Sequence, residues 1–219
     1  MTATIVSTAA ATSRITIECR LRSPHKKGYP GFVEKMHFTR MDRGSDEDFQ
    51  ILKRVHEHNL AELPDRLMAM VTDLSADEAY NLNRCGHSLQ AATRAMRDGA
   101  DEELIVVALL HDIGESLGPM NHGEVAAAIL RPFISDDHYN LLKYHPLFQT
   151  YFYARHLGLD PNAREQFRNE SWYQATVDFC AKYDEVSFDP DYSNEPMSTF
   201  EPMVRRVLNK PWLPPGKAT

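Results

Sequence analysis

The run Leu104-Ile105-Val106-Val107-Ala108-Leu109-Leu110 is apolar on every face that a helix can present. A helix of that kind belongs in the middle of a protein, with other elements packed around it. Asp101 stands before it as a residue suited to capping the free N–H groups of its first turn. His111 and Asp112 close it. The strongest burial signal in the chain therefore carries two polar, metal-competent side chains into the centre of the fold. Whatever packs around this helix must also satisfy them, because a buried imidazole or carboxylate without a partner is costly.

Around that centre the pattern is helical almost throughout, and the fold class expected is an all-α bundle over residues 46–219. Ser45-Asp46-Glu47-Asp48 marks a helix start with acidic residues in its first turn. Leu82, Cys85, Leu89, Ala92 and Met96 form an apolar stripe that predicts a helix from Glu78 to Arg97, ended by Gly99. Gly114 is the expected stop of the central helix. Asn121 with Glu124 is a capping-box pair for a helix over Gly123 to Leu130. Ser135 caps the next helix, which meets Pro146 directly after His145, where a kink is expected. A last long helix is predicted from about Ser171 to Phe188.

Residues 1–45 read as a short irregular N-terminal extension. The alternation of Ile15, Ile17, Cys19 and Leu21 is consistent with one short strand there, and a basic turn-rich patch covers Ser23 to Gly28. At 219 residues the chain has room for one well-packed domain. Its net charge of −7 and scattered basic residues argue against nucleic acid or an anionic membrane as a partner. The three cysteines, Cys19, Cys85 and Cys180, make neither a disulfide framework nor a metal clip, and that usage suits a reducing cytoplasm. The first residues lack the form of a secretory signal, and no apolar run reaches the roughly 20 residues that span a bilayer.

Six residues qualify as metal ligands: His87, His111, Asp112, His122, His145 and Asp184. Side chains projecting inward from several helices are how bundles build metal sites. His111 shares a face with Leu104, Val107 and Ala108, and His122 with Val125, Ala126 and Ile129. His145 shares one with His138, Leu141 and Leu142, and Asp184 with Tyr173, Val177 and Cys180. His87 lies nearly opposite the stripe of its helix, so either that helix buries two faces or His87 is a surface residue. Taken singly, each histidine reads as a hydrogen-bonded core residue, and Asp184 as a helix-terminal charge beside Lys182. Taken together, the six suffice for two metal ions that share Asp112. The remaining histidines, at 25, 37, 56, 58, 138 and 156, carry no assigned role.

The segments Gly86-His87-Ser88-Leu89-Gln90-Ala91-Ala92, Ala108 to Gly114 (with His111-Asp112), Asn121-His122-Gly123-Glu124, Tyr144-His145-Pro146 and Ala181-Lys182-Tyr183-Asp184 together resemble the HD-domain superfamily. His122 and His145 make the resemblance closest to its dinuclear branch, in which Asp112 would bridge the two metals. The resemblance implies an HD-type helical bundle and one of two chemistries. One is oxidation by dioxygen at a mixed-valent Fe(II)/Fe(III) centre, as in myo-inositol oxygenase and the organophosphonate oxygenases. The other is phosphohydrolysis of a nucleotide or small phosphate ester with Mn or Mg.

The stretch from Asp98 to Gly114 and the His-Ser-Leu-Gln-Ala segment look most like the phosphonate oxygenases. The expected enzyme is therefore a diiron oxygenase that hydroxylates a C–H bond or cleaves a C–X bond of a small polar substrate. No catalytic side chain is implied beyond the metal centre. Where those relatives grip a phosphonate with basic groups, this chain carries Glu115, Gln149 and Ala181, which argues against a phosphonate held in the same way. Glu115 suits an ammonium or hydroxyl group of the substrate; its plain alternative is an ion pair with a residue such as Arg131. Basic residues near the ligands are few: Arg84, Arg94, Lys143 and Lys182, with Arg205 and Arg206 able to return from the C-terminal helix. The aromatic cluster Tyr144, Phe148, Tyr151, Phe152 and Tyr153 reads as core or as pocket wall. Tyr144 and Gln149 are expected against the substrate, and Tyr80 is expected as a cover over the open iron position. Substrate identity and oligomeric state are left open.

Overall fold

A computed structural model describes residues 35–76 and 81–211 of the chain. The alternating stretch Ile15 to Leu21, the basic patch at Ser23 to Gly28 and Tyr80 all lie outside the described residues. The chain divides into two compact units, Met1–Ile51 and Leu52–Thr219. Among the described residues the regular elements are helical, without a strand. No helix there is long and apolar enough to cross a membrane.

In the first unit the helix start is built as its residues dictate. Helix α1 runs Asp46–Ala61 and crosses the division between the units. At its head the Ser45 hydroxyl accepts from the Asp48 N–H at 3.2 Å, and the Asp48 carboxylate accepts from the Ser45 N–H at 3.0 Å. This is a reciprocal capping box with aspartate in place of the usual glutamate. The same carboxylate accepts from the His37 N–H at 2.7 Å.

The second unit is organised around the apolar run. Helix α2 is Leu63–Asp73, α3 Arg84–Arg97, α4 Glu102–Leu110, α5 His122–Leu130, α6 Asp136–Leu157, α7 Tyr173–Phe179 and α8 Met197–Val207. Asp101 caps α4 by accepting from the Leu104 N–H at 2.8 Å. Every residue from Ile105 to Leu110 is buried, and α2, α3, α6 and α8 all pack against α4. Each large aliphatic side chain so buried contributes about 1.5–3 kcal/mol.

Four local expectations are corrected. Helix α3 begins at Arg84, with the Asn83 side chain accepting from the Gly86 N–H at 2.9 Å, six residues after the expected start. Its most deeply buried residues include His87, Ser88, Gln90, Ala91, Thr93 and Ala95, so the helix buries a second face beside the predicted stripe. At α5 the Asn121 side chain makes no capping hydrogen bond. Gly114 shows no positive φ; a Cβ there would run into the His122 carbonyl, so the glycine permits a close approach rather than a helix stop. The last helix is shorter than expected: α7 gives way at Cys180 to a π-helical turn ending at Asp184, with the Glu185 N–H bonding back to the Cys180 carbonyl at 2.9 Å. Such π turns are rare and often stand at functional sites.

Candidate metal centre

All six predicted ligands converge at one end of α4. His87 comes from the first turn of α3, and His111 is the C-cap of α4. Asp112 opens the 3-10 turn Ile113–Ser116, and His122 is the first residue of α5. His145 sits mid-way along α6, and Asp184 closes the π turn.

Backbone carbonyls aim the rings. The last carbonyls of a helix lack intrahelical partners, and His111 Nδ1 lies 2.8 Å from one of these, Ala108 O. Pro146 has no N–H to give to Leu142 O, and that carbonyl lies 2.7 Å from His145 Nδ1. His87 Nδ1 lies 3.0 Å from Ser187 O. A carbonyl only accepts, so in each ring Nδ1 carries the proton and donates, leaving Nε2 to face the centre.

Asp112 divides the cluster in two. Its Oδ2 lies 3.5 Å from His111 Nε2 and 3.7 Å from His87 Nε2. Its Oδ1 lies 3.5 Å from His122 Nε2 and 3.6 Å from His145 Nε2. On the first side Asp184 Oδ1 adds a second carboxylate, 3.2 Å from His87 Nε2 and 3.7 Å from His111 Nε2. The first side thus offers four donors and the second three. Three overlapping groups bring ligand atoms within 4.8 Å of one another: His87, His111 and Asp184; His111, Asp112 and His145; and Asp112, Glu115 and His122.

The side chains fit a metal on their own evidence. His87 Nε2 and His111 Nε2 stand 3.0 Å apart, and with both Nδ1 atoms protonated two neutral rings would turn lone pairs on each other. Asp184 Oδ2 is buried without a hydrogen-bond partner. Burial pushes the Asp112 carboxyl up, but His111, His145 and His87 outweigh it and hold the group well below the ordinary carboxylate range. Asp184 is likewise lowered, against its burial, by His111 and His87. Burial opposes a charge on His111, yet Asp112 and Asp184 raise it to about 9. On His122 the balance is reversed, with burial and His145 outweighing the pull of Asp112 and Glu115. Two buried carboxylates in this cluster call for positive charge, and without a metal a proton on His111 meets part of that need.

A cavity of about 620 Å³ opens onto the centre. Arg84, His87, Asp112, Glu115 and His122 face it, together with Gln149, Phe152 and Tyr153 of α6 and Glu185 and Phe188 beyond the π turn. The residues expected at the substrate are placed as follows. Glu115 lines the cavity, but its Oε1 lies 3.0 Å from Arg84 Nη1 and 2.9 Å from His122 Nδ1; Arg131 is instead engaged with Asp136. Gln149 lines the cavity and donates to Asp184 Oδ1 at 2.7 Å. Tyr144 is not in the lining: its ring stacks on Trp172, 4.9 Å away and 7° from parallel. Of the other aromatics, Phe148 is core and Tyr151 lies under Arg164.

The remaining basic candidates point elsewhere. Lys182 pairs with Asp178 at 3.2 Å, not with Asp184. Lys143 sits over Tyr144 and Arg94 over Tyr192. Arg205 binds Asp65 and Glu201, and Arg206 binds Glu102. Sequence reasoning gave no role to Gln90 or Phe188 and left Phe152 and Tyr153 undivided from their neighbours. For the last two a signal existed, since 145, 149, 152 and 153 follow the i, i+4, i+7, i+8 spacing of one helix face. Phe188 lies in an irregular segment where no periodicity operates.

A comparison with curated proteins found no match. Residues 84–170 match the family model of the HD domain. Five of the six converging side chains lie inside that stretch, and Asp184 lies beyond it. That segment is thus similar to HD domains.

Proposed function

We propose that this protein is an oxygenase whose six ligands hold two iron ions, and that it oxidises a small polar organic molecule with dioxygen as the oxidant. The observation that carries this reading is the division of the cluster by the two oxygens of Asp112, with Asp112 and a histidine from each side, His87 and His122, facing the cavity. Imidazole and carboxylate donors in this proportion suit iron. Bound iron would supply the redox chemistry that couples dioxygen to cleavage of a C–H or neighbouring C–X bond.

The protein's own groups do the rest. Phe152, Tyr153 and Phe188 form the aromatic part of the cavity wall. Glu115 lies within reach of His122 Nδ1, and Arg84 balances its charge. That arrangement assigns Glu115 to orienting a ligand ring, as carboxylates commonly do around metals, rather than to receiving an ammonium group. Phosphohydrolysis is the weaker reading. A phosphoryl group wants an available Arg or Lys beside the metals, and among the described residues the one such side chain lining the cavity, Arg84, already faces Asp112 and Glu115.

Anaerobic loading with Fe(II), metal analysis and a search for a mixed-valent paramagnetic signal test the reading, followed by oxygen uptake with small amines, amino acids and polyols. Two irons per chain and substrate-dependent oxygen consumption are expected. Manganese or magnesium dependence with phosphate release from nucleotides would overturn it.

A further inference from the structure

Gln90 lies one turn beyond His87 on the inner face of α3 and is fully buried. A buried amide must have its donors and acceptor met, and Gln90 spends them on a single stretch of chain. Its Nε2 donates to Asp189 O at 2.8 Å and to Asn194 Oδ1 at 3.2 Å, and its Oε1 accepts from the Asp189 N–H at 3.1 Å. Asn194 in turn donates to Gly86 O at 3.2 Å. The segment from Ser187 to Asn194 is thereby strapped along α3 although it has no regular structure of its own.

That strap also reaches the metal centre. Ser187 supplies the carbonyl that fixes the Nδ1 proton of His87. Phe188 stacks on the His87 ring, with centroids 4.3 Å apart and planes 20° from parallel, and walls the cavity. Asp184 stands three residues before Ser187, and Gln149 grips it from the opposite helix. Carbonyl, ring cover and carboxylate all arrive on one short segment that Gln90 pins at its far end.

We propose that Gln90 is a positioning residue for the four-donor side of the centre: by clamping the Asp189 peptide it keeps His87 aimed at Asp184 and His111. This rests on the two-metal reading above, and the test separates the two. Co(II) added to metal-free protein and followed by optical absorption reports each binding event without any turnover. Unmodified protein is expected to take two equivalents. Gln90→Leu keeps the volume but loses all three hydrogen bonds, and is expected to weaken one of the two equivalents by about tenfold, the size of losses seen when a ligand's outer partner is removed. The other equivalent should be unchanged.

Thr93→Val is the control. Thr93 Oγ1 accepts from the Glu195 N–H at 3.0 Å, a bond between the same helix and the same strap but beyond the part that touches His87. It should lower thermal stability without moving either affinity. If Gln90→Leu does not fold, Asn194→Ala loosens the same strap from outside the core and should weaken the same equivalent in lesser degree. Two unaltered equivalents in a folded Gln90→Leu or Asn194→Ala protein, or equal losses in Thr93→Val, would overturn the role of Gln90. Failure of the unmodified protein to bind two Co(II) ions would instead overturn the two-metal reading.

Discussion

The two sides of the cluster share Asp112 and differ in what encloses them. His87, His111 and Asp184 are at most 1% exposed, and the His87 and His111 rings are aimed by main-chain carbonyls. On the other side His145 is likewise buried and aimed by Leu142 O, but the His122 and Glu115 side chains are 17% and 14% exposed, and the short contact of His122 Nδ1 is to a side chain, with Pro119 O more distant at 3.4 Å. A main-chain support cannot move without the backbone, whereas a carboxylate can turn away on its own rotamers. The first side is therefore the more enclosed, and on the second His122 is the exposed donor with the adjustable support. Asp112 thus stands between a more enclosed group of donors and one with an adjustable member.

The severest break is Asp112→Ala. Each oxygen of this residue faces one pair of histidines, so both sides lose a donor and the negative charge between them. Metal analysis should fall from two equivalents to none retained through gel filtration. Asp112→Asn, which keeps shape but not charge, should fall between. Full metal content in the alanine variant would remove the bridge from the reading.

Next in size is the contrast itself. A strong chelator added to the loaded protein should remove metal in two phases, the fast one belonging to the exposed side. His122→Ala should abolish the fast phase and leave one slowly released equivalent. A single phase in the unmodified protein would mean that enclosure does not distinguish the two sides.

Gly123→Ala sharpens the contrast more gently. A Cβ there would lie 2.7 Å from Leu142 O and 2.9 Å from Pro146 Cδ, so α5 must move off α6. Overpacking of this sort costs about 1–3 kcal/mol. The two helices carry His122 and His145, hence the loss of affinity should fall on the exposed side, visible as a faster first phase together with a lower melting temperature.

How much of this was legible in the residues follows from where periodicity operates. The buried run at 104–110, its Asp101 cap and the ligand positions on helices could be read because burial on a helix repeats every three to four residues. The depth of His87 could not, since α3 buries two faces and its inner one carries polar residues: Gln90 is satisfied by a partner remote in sequence and Thr93 by the helix itself. The orientation of Glu115 depends on Arg84, 31 residues earlier, and no local rule pairs them. The irregular strap gave no pattern at all, yet it fixes one ligand ring. Tyr144 shows the converse, for Phe152 and Tyr153 of the same aromatic run line the cavity while it stacks on Trp172 outside the lining.

The smallest predicted effect lies at the end of α4 remote from the centre. Glu103 accepts from the Ser135 N–H at 2.7 Å and lies 2.6 Å from His138 Nδ1, tying the start of α6 to the start of α4. Burial pushes the Glu103 carboxyl up, but the bonds from Ser135 and His138 outweigh it and hold the group below its ordinary value. A carboxyl lowered in the folded state stabilises above its unfolded value of 4.5, and that contribution disappears as pH falls through the lowered value. Glu103→Gln should therefore melt slightly below the unmodified protein at pH 7, and the gap should close as the pH is taken below 4.5. Because α4 and α6 between them serve both sides of the cluster, the ratio of the two chelation phases should stay constant in this variant. A gap that widens in acid would reverse the sign of the Glu103 contribution. A shift confined to one phase would show that the sides are coupled through the helix axes rather than through their own supports.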